Sequence, residues 1–533
     1  MDVTIRHRHV LRAVILFAVL PLKLFSQDVF DGPELTGRPT ATSITLNVVY
    51  NQAMDVYIEY GTESGIYTSQ TGIVSSAANV PNETVISNLT PNTRYYYRLN
   101  YRTTGGWIPR EEHSFHTQRP PGSDFVFTVT SDSHFDSYMN DQQLYEITLN
   151  NIKNDGSDFH FDCGDAFLVQ NRTTVPETRA LYLSQRASFG IFSPSTPLFL
   201  SLGNHVNEER WNLDDFFLDT ANSTPVISAN ARKYYYLNPI PESGPNPFYR
   251  GNEDVSISAI DGDRYLEDYY SFEWGDALFM VLDPYWYTEE KPFYGSSGGE
   301  EDDEIVSGSG WSWTLGDAQY NWLKTTLEQS GAIYKFIFMH NLTSGTGTLY
   351  RLYGRGGAKA ALNYEWGGLD NDNTDRFAQY RPGWEKPIHD ILVDNQVSAV
   401  FHGHDHVFAM EELDGIVYQE VPQPADVNYS TGFSENQTNY AGGVILPNSG
   451  HLRVEVTPRQ ATVRYIRAFL PGGGNNGQEA FTYTIAGGNR APVANAGEDQ
   501  SVTDVDLSWD ESVTLDGSGS TDDNNDIVIK SRI

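Results

Sequence analysis

Five short apolar runs in this chain each lead into residues of metal-ligand type. Phe125–Thr130 is followed by Asp132-Ser133-His134, and Phe159–Phe161 by Gly164-Asp165. Leu198–Leu202 is followed by Gly203-Asn204-His205, Phe336–Met339 by His340, and Val397–Phe401 by Gly403-His404-Asp405-His406. A mixture of Asp, Asn and His suits borderline metals such as zinc, manganese or iron; calcium or magnesium would call for nearly all oxygen ligands. Phosphoester hydrolysis at a two-metal site uses cations about 3.5–4 Å apart to clamp the attacking and leaving oxygens. Two cations that close need a shared anion between them, so one carboxylate must bridge.

The runs themselves say how such ligands would be held. Each is short, continuous and rich in Val, Phe, Ile or Leu, the pattern of a strand buried on both faces. In open α/β sheets the ligand crevice lies beyond the carboxyl ends of the strands. Five such strands would deliver their ligands to one rim. Taken singly the blocks mean little, because Gly-Asp and Gly-Asn after a strand are ordinary turn chemistry. A single His after an apolar strand is more often a hydrogen-bonded core residue. His160, His389 and His402 are read that way, as structural or rim residues. It is the five blocks in order, each at a strand end, that carry meaning.

In that order the blocks resemble the calcineurin-like metallophosphoesterase superfamily, whose pattern runs D-x-H, G-D, G-N-H, H, G-H-x-H. The resemblance spans about two-thirds of the chain. It implies an α/β catalytic domain, a four-layer α/β/β/α sandwich of mixed sheets, with two divalent transition-metal ions (manganese, iron or zinc). Carried over, Asp132, His134 and His406 would hold the first metal. Asn204, His340 and His404 would hold the second, and Asp165 would bridge. His205 would sit beside the leaving oxygen as the catalytic group, and Asn204 would also face the substrate. The implied activity is hydrolysis of a small phosphate ester, monoester or diester, by a hydroxide activated at the dinuclear centre.

Two departures from the pattern matter. Purple acid phosphatases carry G-D-x-x-Y, whose tyrosinate binds ferric iron. This chain reads Gly164-Asp165-Ala166-Phe167-Leu168, so no purple chromophore is expected. The family often follows G-N-H with an acid that orients the His, whereas Val206 stands here, leaving Glu208 or Glu209 as substitutes.

The whole chain is acidic: 35 Lys and Arg against 70 Asp and Glu give a net charge of −35 over 533 residues. Such a surface repels nucleic acid and anionic membranes, so no nucleic-acid-binding surface is expected. A phosphate substrate must then be drawn by metals and local cations. Arg351 and Arg355, in a Gly-rich loop past His340, are candidate phosphate contacts. The acidic run Glu300–Glu304 reads as a solvated loop. Cys163, the one cysteine, excludes an intrachain disulfide and reads as a buried thiol.

Four regions are expected. Residues 1–26 look like a signal peptide, with Arg6, Arg8 and Arg12 before the apolar stretch Ala13–Leu22. That implies a secreted, periplasmic or cell-surface protein with no membrane span once the signal is removed. Residues 30–118 read as an all-β module. Ile44, Leu46 and Val48 alternate, Val56–Tyr60, Val85–Leu89 and Tyr95–Leu99 follow, and turn residues separate the runs. Leu89–Tyr95 resembles the tyrosine corner of fibronectin type III domains, and a module of this kind precedes the catalytic domain in purple acid phosphatases. It is read here as a spacer, with Arg119–Gly122 as the boundary. The catalytic domain spans 122–487. Within it Tyr269–Trp274 and Ala277–Leu282 are expected to pair, and Thr314–Asp317 to start a helix through a capping box. Residues 491–533 resemble the first half of a polycystic-kidney-disease-type (PKD) β-sandwich. Modules of these kinds also accompany surface attachment, so a surface-binding or adhesive protein with a residual metal site is the alternative function.

Overall fold

The computed structural model describes residues 29–487, apart from 136, 138–139, 170–171, 173, 214–222, 252–264, 293–308, 346–353 and 434–435. The signal-like 1–26, the PKD-like 491–533, Glu300–Glu304 and Arg351 lie outside the described residues. Among the described residues, no helix is long and apolar enough to cross a membrane.

The N-terminal strands are β1 (Leu35–Gly37), β2 (Ile44–Val49), β3 (Met54–Gly61), β4 (Ser69–Gln70), β5 (Val74–Ser76), β6 (Pro81–Ile86), β7 (Arg94–Arg102), β8 (Ile108–Pro109) and β9 (His113–His116). They form two antiparallel groups, β1-β2-β6 and a second sheet centred on β3 and β7. Ile44, Leu46, Ile58, Ile86, Tyr97 and Phe115 form a core between them. The Thr90 backbone N–H donates to the Tyr95 hydroxyl at 2.9 Å.

Alternation in β2 predicts one dry and one wet face, yet all six residues are buried. The second face is covered by the rest of the chain. Leu35 and Val49 pack in one cluster with Tyr145, Tyr182 and Tyr236. The buried Arg186 guanidinium donates to the Asn47 side chain at 2.9 Å and to its carbonyl at 2.8 Å. A free spacer is therefore not what this segment forms. The expected boundary is also tied down, since Arg119 pairs with Asp158 and the Gly122 N–H donates to Asp276 at 2.9 Å.

The α/β part is built on two sheets. Its strands are β10 (Phe125–Thr130), β11 (Phe159–Asp162), β12 (Leu198–Leu200), β13 (Tyr270–Trp274), β14 (Ala277–Val281), β15 (Tyr334–Phe338), β16 (Ala399–His402), β17 (Phe408–Leu413), β18 (Ile416–Glu420), β19 (Val444–Leu446), β20 (Gly450–Val456), β21 (Gln460–Arg467) and β22 (Glu479–Ala486). One sheet has the order β12-β11-β10-β20-β21-β22, the other β13-β14-β15-β16-β18-β17-β19. Within them β10, β11 and β12 run parallel, as do β14, β15, β16 and β18. β13 and β14 pair antiparallel, as their sequences suggest.

The sheets pack face to face through aromatic rings, which explains the Phe-rich runs. Phe161 stacks on Phe338 at 3.9 Å, and Phe127 meets Phe279 edge-on at 5.2 Å. Outside the first sheet lie α1 (Gln142–Asp155) and α2 (Val175–Phe189), burying Leu149, Ile152, Leu181 and Phe189. Outside the second lie α4 (Gly316–Gln329) and the helix Ile388–Asp394, burying Leu323, Leu327, Ile391 and Leu392. A further helix, α3 (Thr224–Tyr235), precedes β13. The layers are helix, sheet, sheet, helix.

The capping box at Thr314 does not form. The helix begins one residue later than that pattern requires, with Leu315 at the cap and no side-chain acceptor there. The Thr314 hydroxyl instead accepts from the Gly316 N–H at 2.9 Å, and Asp317 accepts from the Trp384 indole at 2.7 Å.

Candidate metal centre

The ends of five strands converge. Asp132 and His134 follow β10, Asp165 follows β11, Asn204 and His205 follow β12, His340 follows β15, and His404 and His406 follow β16. Asp132, His134, Asp165 and His340 are fully buried, and Asn204 is 6% exposed. Potential ligand atoms gather in three overlapping groups: Asp132, His134 and His406; His134, Asp165 and His205; Asp165, His340 and His404. Asp165 belongs to two of them, the position a bridging carboxylate needs. Asn204 completes the last group, its Oδ1 lying 3.0 Å from His340 Nε2.

The backbone is bent to achieve this. Asp132, His134, Asp165, His404 and His406 all have φ between 43° and 79°. That left-handed region is uncommon for residues with a Cβ and costs of order 1–3 kcal/mol each. Such a concentration marks a site that the surrounding fold holds under strain. Glycines make the close approach feasible. A Cβ on Gly203 would lie 2.2 Å from Asp165 Oδ1, and one on Gly403 would lie 2.5 Å from Asp132 Oδ2.

The two carboxylates are wired alike. Asp132 Oδ2 accepts the His404 N–H at 2.9 Å, and Asp165 Oδ1 accepts the His205 N–H at 2.8 Å. The other oxygen of each is buried and, among the described residues, meets no donor in good hydrogen-bond geometry. Those bare oxygens face imidazole nitrogens. Asp132 Oδ1 is 3.4 Å from His406 Nε2 and 3.8 Å from His134 and His340 Nε2. Asp165 Oδ2 is 3.2 Å from His340, 3.8 Å from His205 and 4.0 Å from His134. His134 and His406 turn their Nε2 atoms toward each other at 2.8 Å. An orphaned buried oxygen costs about 1–3 kcal/mol or more, so a cluster of them with converging ring nitrogens calls for a cation. The donor set of imidazole, carboxylate and one amide fits divalent ions of the borderline class.

Electrostatics favours the ligand form of most rings. Burial, then the neighbouring His406, pushes the His134 pKa down to about 3. Burial and then Arg355 hold His404 well below its ordinary value, and burial lowers His205. His340 goes the other way. Burial opposes its charge, but Asp165 and Asp132 outweigh that and raise it to about 9. Its Nδ1 is 2.9 Å from the Cys163 carbonyl, which leaves Nε2 facing the carboxylates.

Other expected residues fall elsewhere. His160 is hydrogen-bonded to Thr128 and Thr130, His389 to Tyr418 and Asp414, and His402 pairs with Glu420 at 2.7 Å. All three are buried and outside the centre, and Cys163 is a buried thiol. Glu208 does not orient His205, because both of its oxygens are taken by Arg232 at 2.7 and 2.8 Å. Nδ1 of His205 has no partner among the described residues. Arg355 is not a free cation. Its Nη1 is 2.9 Å from Asp405 Oδ1, and its guanidinium lies 3.6 Å over the Phe433 ring.

That last contact reveals a residue the motif alone conceals. Asp405, between two ligands, also accepts from the Gly356 N–H at 2.8 Å and the Tyr440 hydroxyl at 2.6 Å. Its own N–H donates to Glu420 at 2.9 Å. The residue between the two histidines thus pins the ligand loop from behind. The acid in Gly403-His404-Asp405-His406 was its only sequence signal.

Neither a family model nor a curated protein matches this chain by sequence. Solved structures do match by shape. The structure of PhoD has a TM-score of 0.61 at 16% identity, over 87% of this chain and 91% of that one. Purple acid phosphatase PPD1 from yellow lupin (Lupinus luteus) seeds has a TM-score of 0.52 at 13% identity, over 85% and 74%. The chain therefore shares its fold with these two proteins.

Proposed function

We propose that this chain is a metal-dependent phosphoesterase. The observation that carries the proposal is the pair of bare, buried oxygens on Asp132 and Asp165, ringed by imidazole nitrogens. Asp132, His134 and His406 would hold one divalent ion, Asn204, His340 and His404 the other, with Asp165 shared. Bound there, two cations supply Lewis acidity toward phosphoryl oxygens and an activated nucleophile.

The chain's own groups do the rest. His205, about 12% exposed, presents Nε2 on the Asp165 side of the centre. It can donate a proton to a departing oxygen or a hydrogen bond to a phosphoryl oxygen. Arg355 adds positive potential at His404 while Asp405 fixes its position. Paired with Asp405, it is no free counter-charge, so in a chain of charge −35 attraction of a phosphate group would rest chiefly on the bound cations. Arg351 remains a second candidate on the same loop.

The same reading includes export through the leader-like residues 1–26, a fibronectin type III-like module over 30–118, and a PKD-like segment at 491–533. N-terminal sequencing of secreted protein tests the first. The activity test is purification with metal analysis, followed by assay of aryl phosphate monoesters and diesters across pH. Two equivalents of manganese, iron or zinc and metal-dependent turnover of either ester support the proposal. Metal-free protein with full activity, or metal-loaded protein with none on both ester classes, contradicts it.

A further inference from the structure

β12 carries Asn204 and His205 on its outgoing loop, and it is the weakest of the ligand strands. It has three residues and lies at the edge of its sheet, paired on one side to β11. An edge strand leaves backbone groups unpaired and its end free to move. Here side chains supply the missing neighbour, the Tyr270 hydroxyl donating to the Leu200 carbonyl at 3.0 Å and Asn238 bonding the same residue twice. Asn238 Oδ1 accepts the Leu200 N–H at 3.0 Å, and its Nδ2 donates to the Leu200 carbonyl, also at 3.0 Å. The far end of the loop is gripped as well, by the buried Glu208–Arg232 pair. Arg232 in turn donates to the carbonyls of Glu267 at 2.8 Å and Leu266 at 2.9 Å, and Asn238 Nδ2 reaches the Glu267 carbonyl at 3.0 Å. Both grips therefore meet at Glu267 and Asn238.

What fixes that junction comes from the N-terminal module. Arg38, just past β1, donates from Nε to the Asn238 carbonyl at 2.8 Å and from Nη2 to the Glu267 carboxylate at 3.2 Å. Its Nη1 is held by Glu83 of β6 at 3.0 Å. Arg38 has φ +50° and Glu267 φ +59°, so both are in the left-handed conformation. Strain of that kind persists only where surroundings enforce it. Beside them Gly37 lies so close to Leu237 that an added Cβ would come within 2.5 Å of the Leu237 Cβ.

We infer that Arg38 is a positioning residue for the metal centre, acting through Asn238 and Glu267 on the loop that carries Asn204 and His205. The N-terminal module thereby completes the second metal site from outside the α/β sandwich. Asp132 and Asp165 follow β10 and β11, and His340 and His404 follow β15 and β16, all interior strands that need no such support. Loss of Arg38 should therefore act chiefly on the Asn204 site, and less on the other through the His205 N–H held by Asp165. This rests on the dinuclear reading proposed above.

The test is titration of the full-length metal-free protein with cobalt(II), followed by visible absorption and equilibrium dialysis. Wild type should bind two equivalents. Arg38→Met should bind one nearly as tightly as wild type and the other about 10–100-fold more weakly, the range seen when an outer support of a metal ligand is removed. Arg38→Lys should recover part of the loss. In an Asn204→Ala background, replacing Arg38 should change little further, because the two act chiefly on one site. Arg98→Ala, which breaks a pair with Glu59 inside the N-terminal module, should leave both affinities alone. If Arg38→Met does not fold, Glu267→Gln tests the same junction with a smaller change. Equal weakening at both sites, or none, overturns the inference. A wild-type protein that binds no cobalt defeats the dinuclear reading beneath it instead.

Discussion

Replacing Gly203 with Ala should disable the proposed centre by displacing Asp165, the carboxylate proposed to bridge it. The new Cβ would lie 2.2 Å from Asp165 Oδ1 and 2.3 Å from its backbone nitrogen. Ordinary contact begins near 3.4 Å, so something must retreat by about 1.2 Å. The obstacle is partly backbone and cannot swing aside as a side chain would. Overpacking of this kind costs about 1–3 kcal/mol. Straining the His205 N–H bond to the Asp165 carboxylate adds about 1.5–3 kcal/mol, the usual worth of a hydrogen bond to a charged group. A misplacement near 1 Å is enough to cost about 10²-fold in rate. Thermal unfolding in chelator reads the first effect, metal analysis and ester hydrolysis the second. Gly331→Ala is the control, because an added Cβ there meets nothing within 4 Å. If Gly203→Ala retains two metals and wild-type turnover, Asp165 is not held as described.

Three further outcomes follow. The metal-replete protein should lack a tyrosinate-to-iron band, since Leu168 stands at the tyrosine position, and a strong visible band in iron-loaded protein would refute this. His205→Ala should retain its metals but lose more kcat on esters with basic leaving groups than with acidic ones; metal loss would make His205 a ligand, as its 3.8 Å distance to Asp165 would permit. Arg232→Met should cost about 3–5 kcal/mol in urea unfolding, because it strands the buried Glu208 carboxylate. Adding Glu208→Gln should recover part of that loss, and an unchanged midpoint in the single variant would show the pair to be dispensable.

The centre was legible because its chemistry sits in local words. Each ligand block directly follows an apolar strand, and short continuous runs such as Phe125–Thr130 announce a strand covered on both faces. The supports were not legible, because they are single side chains acting at long range. Arg38 reaches Asn238 across 200 residues, and Arg355 reaches Asp405 across 50, with no periodicity to mark either. β2 shows the limit of alternation. Thr45, Asn47 and Val49 read as a solvent face, yet Arg186 and α2 cover it. The capping pattern at Thr314 failed for a local reason, since its hydroxyl took the Gly316 N–H and the helix began without it. Arg355 looked like a free cation because Asp405, its partner, lies on another strand's loop.

Replacing Asp165 with Asn tests the central claim most directly. The side chain keeps its shape and can still accept the His205 N–H, but the shared negative charge is lost from between the two cations. The account predicts that bound metal falls from two equivalents toward zero, that both sites weaken together, and that ester hydrolysis drops by orders of magnitude. An Asp165→Asn protein that keeps two metals and most of its activity would contradict it.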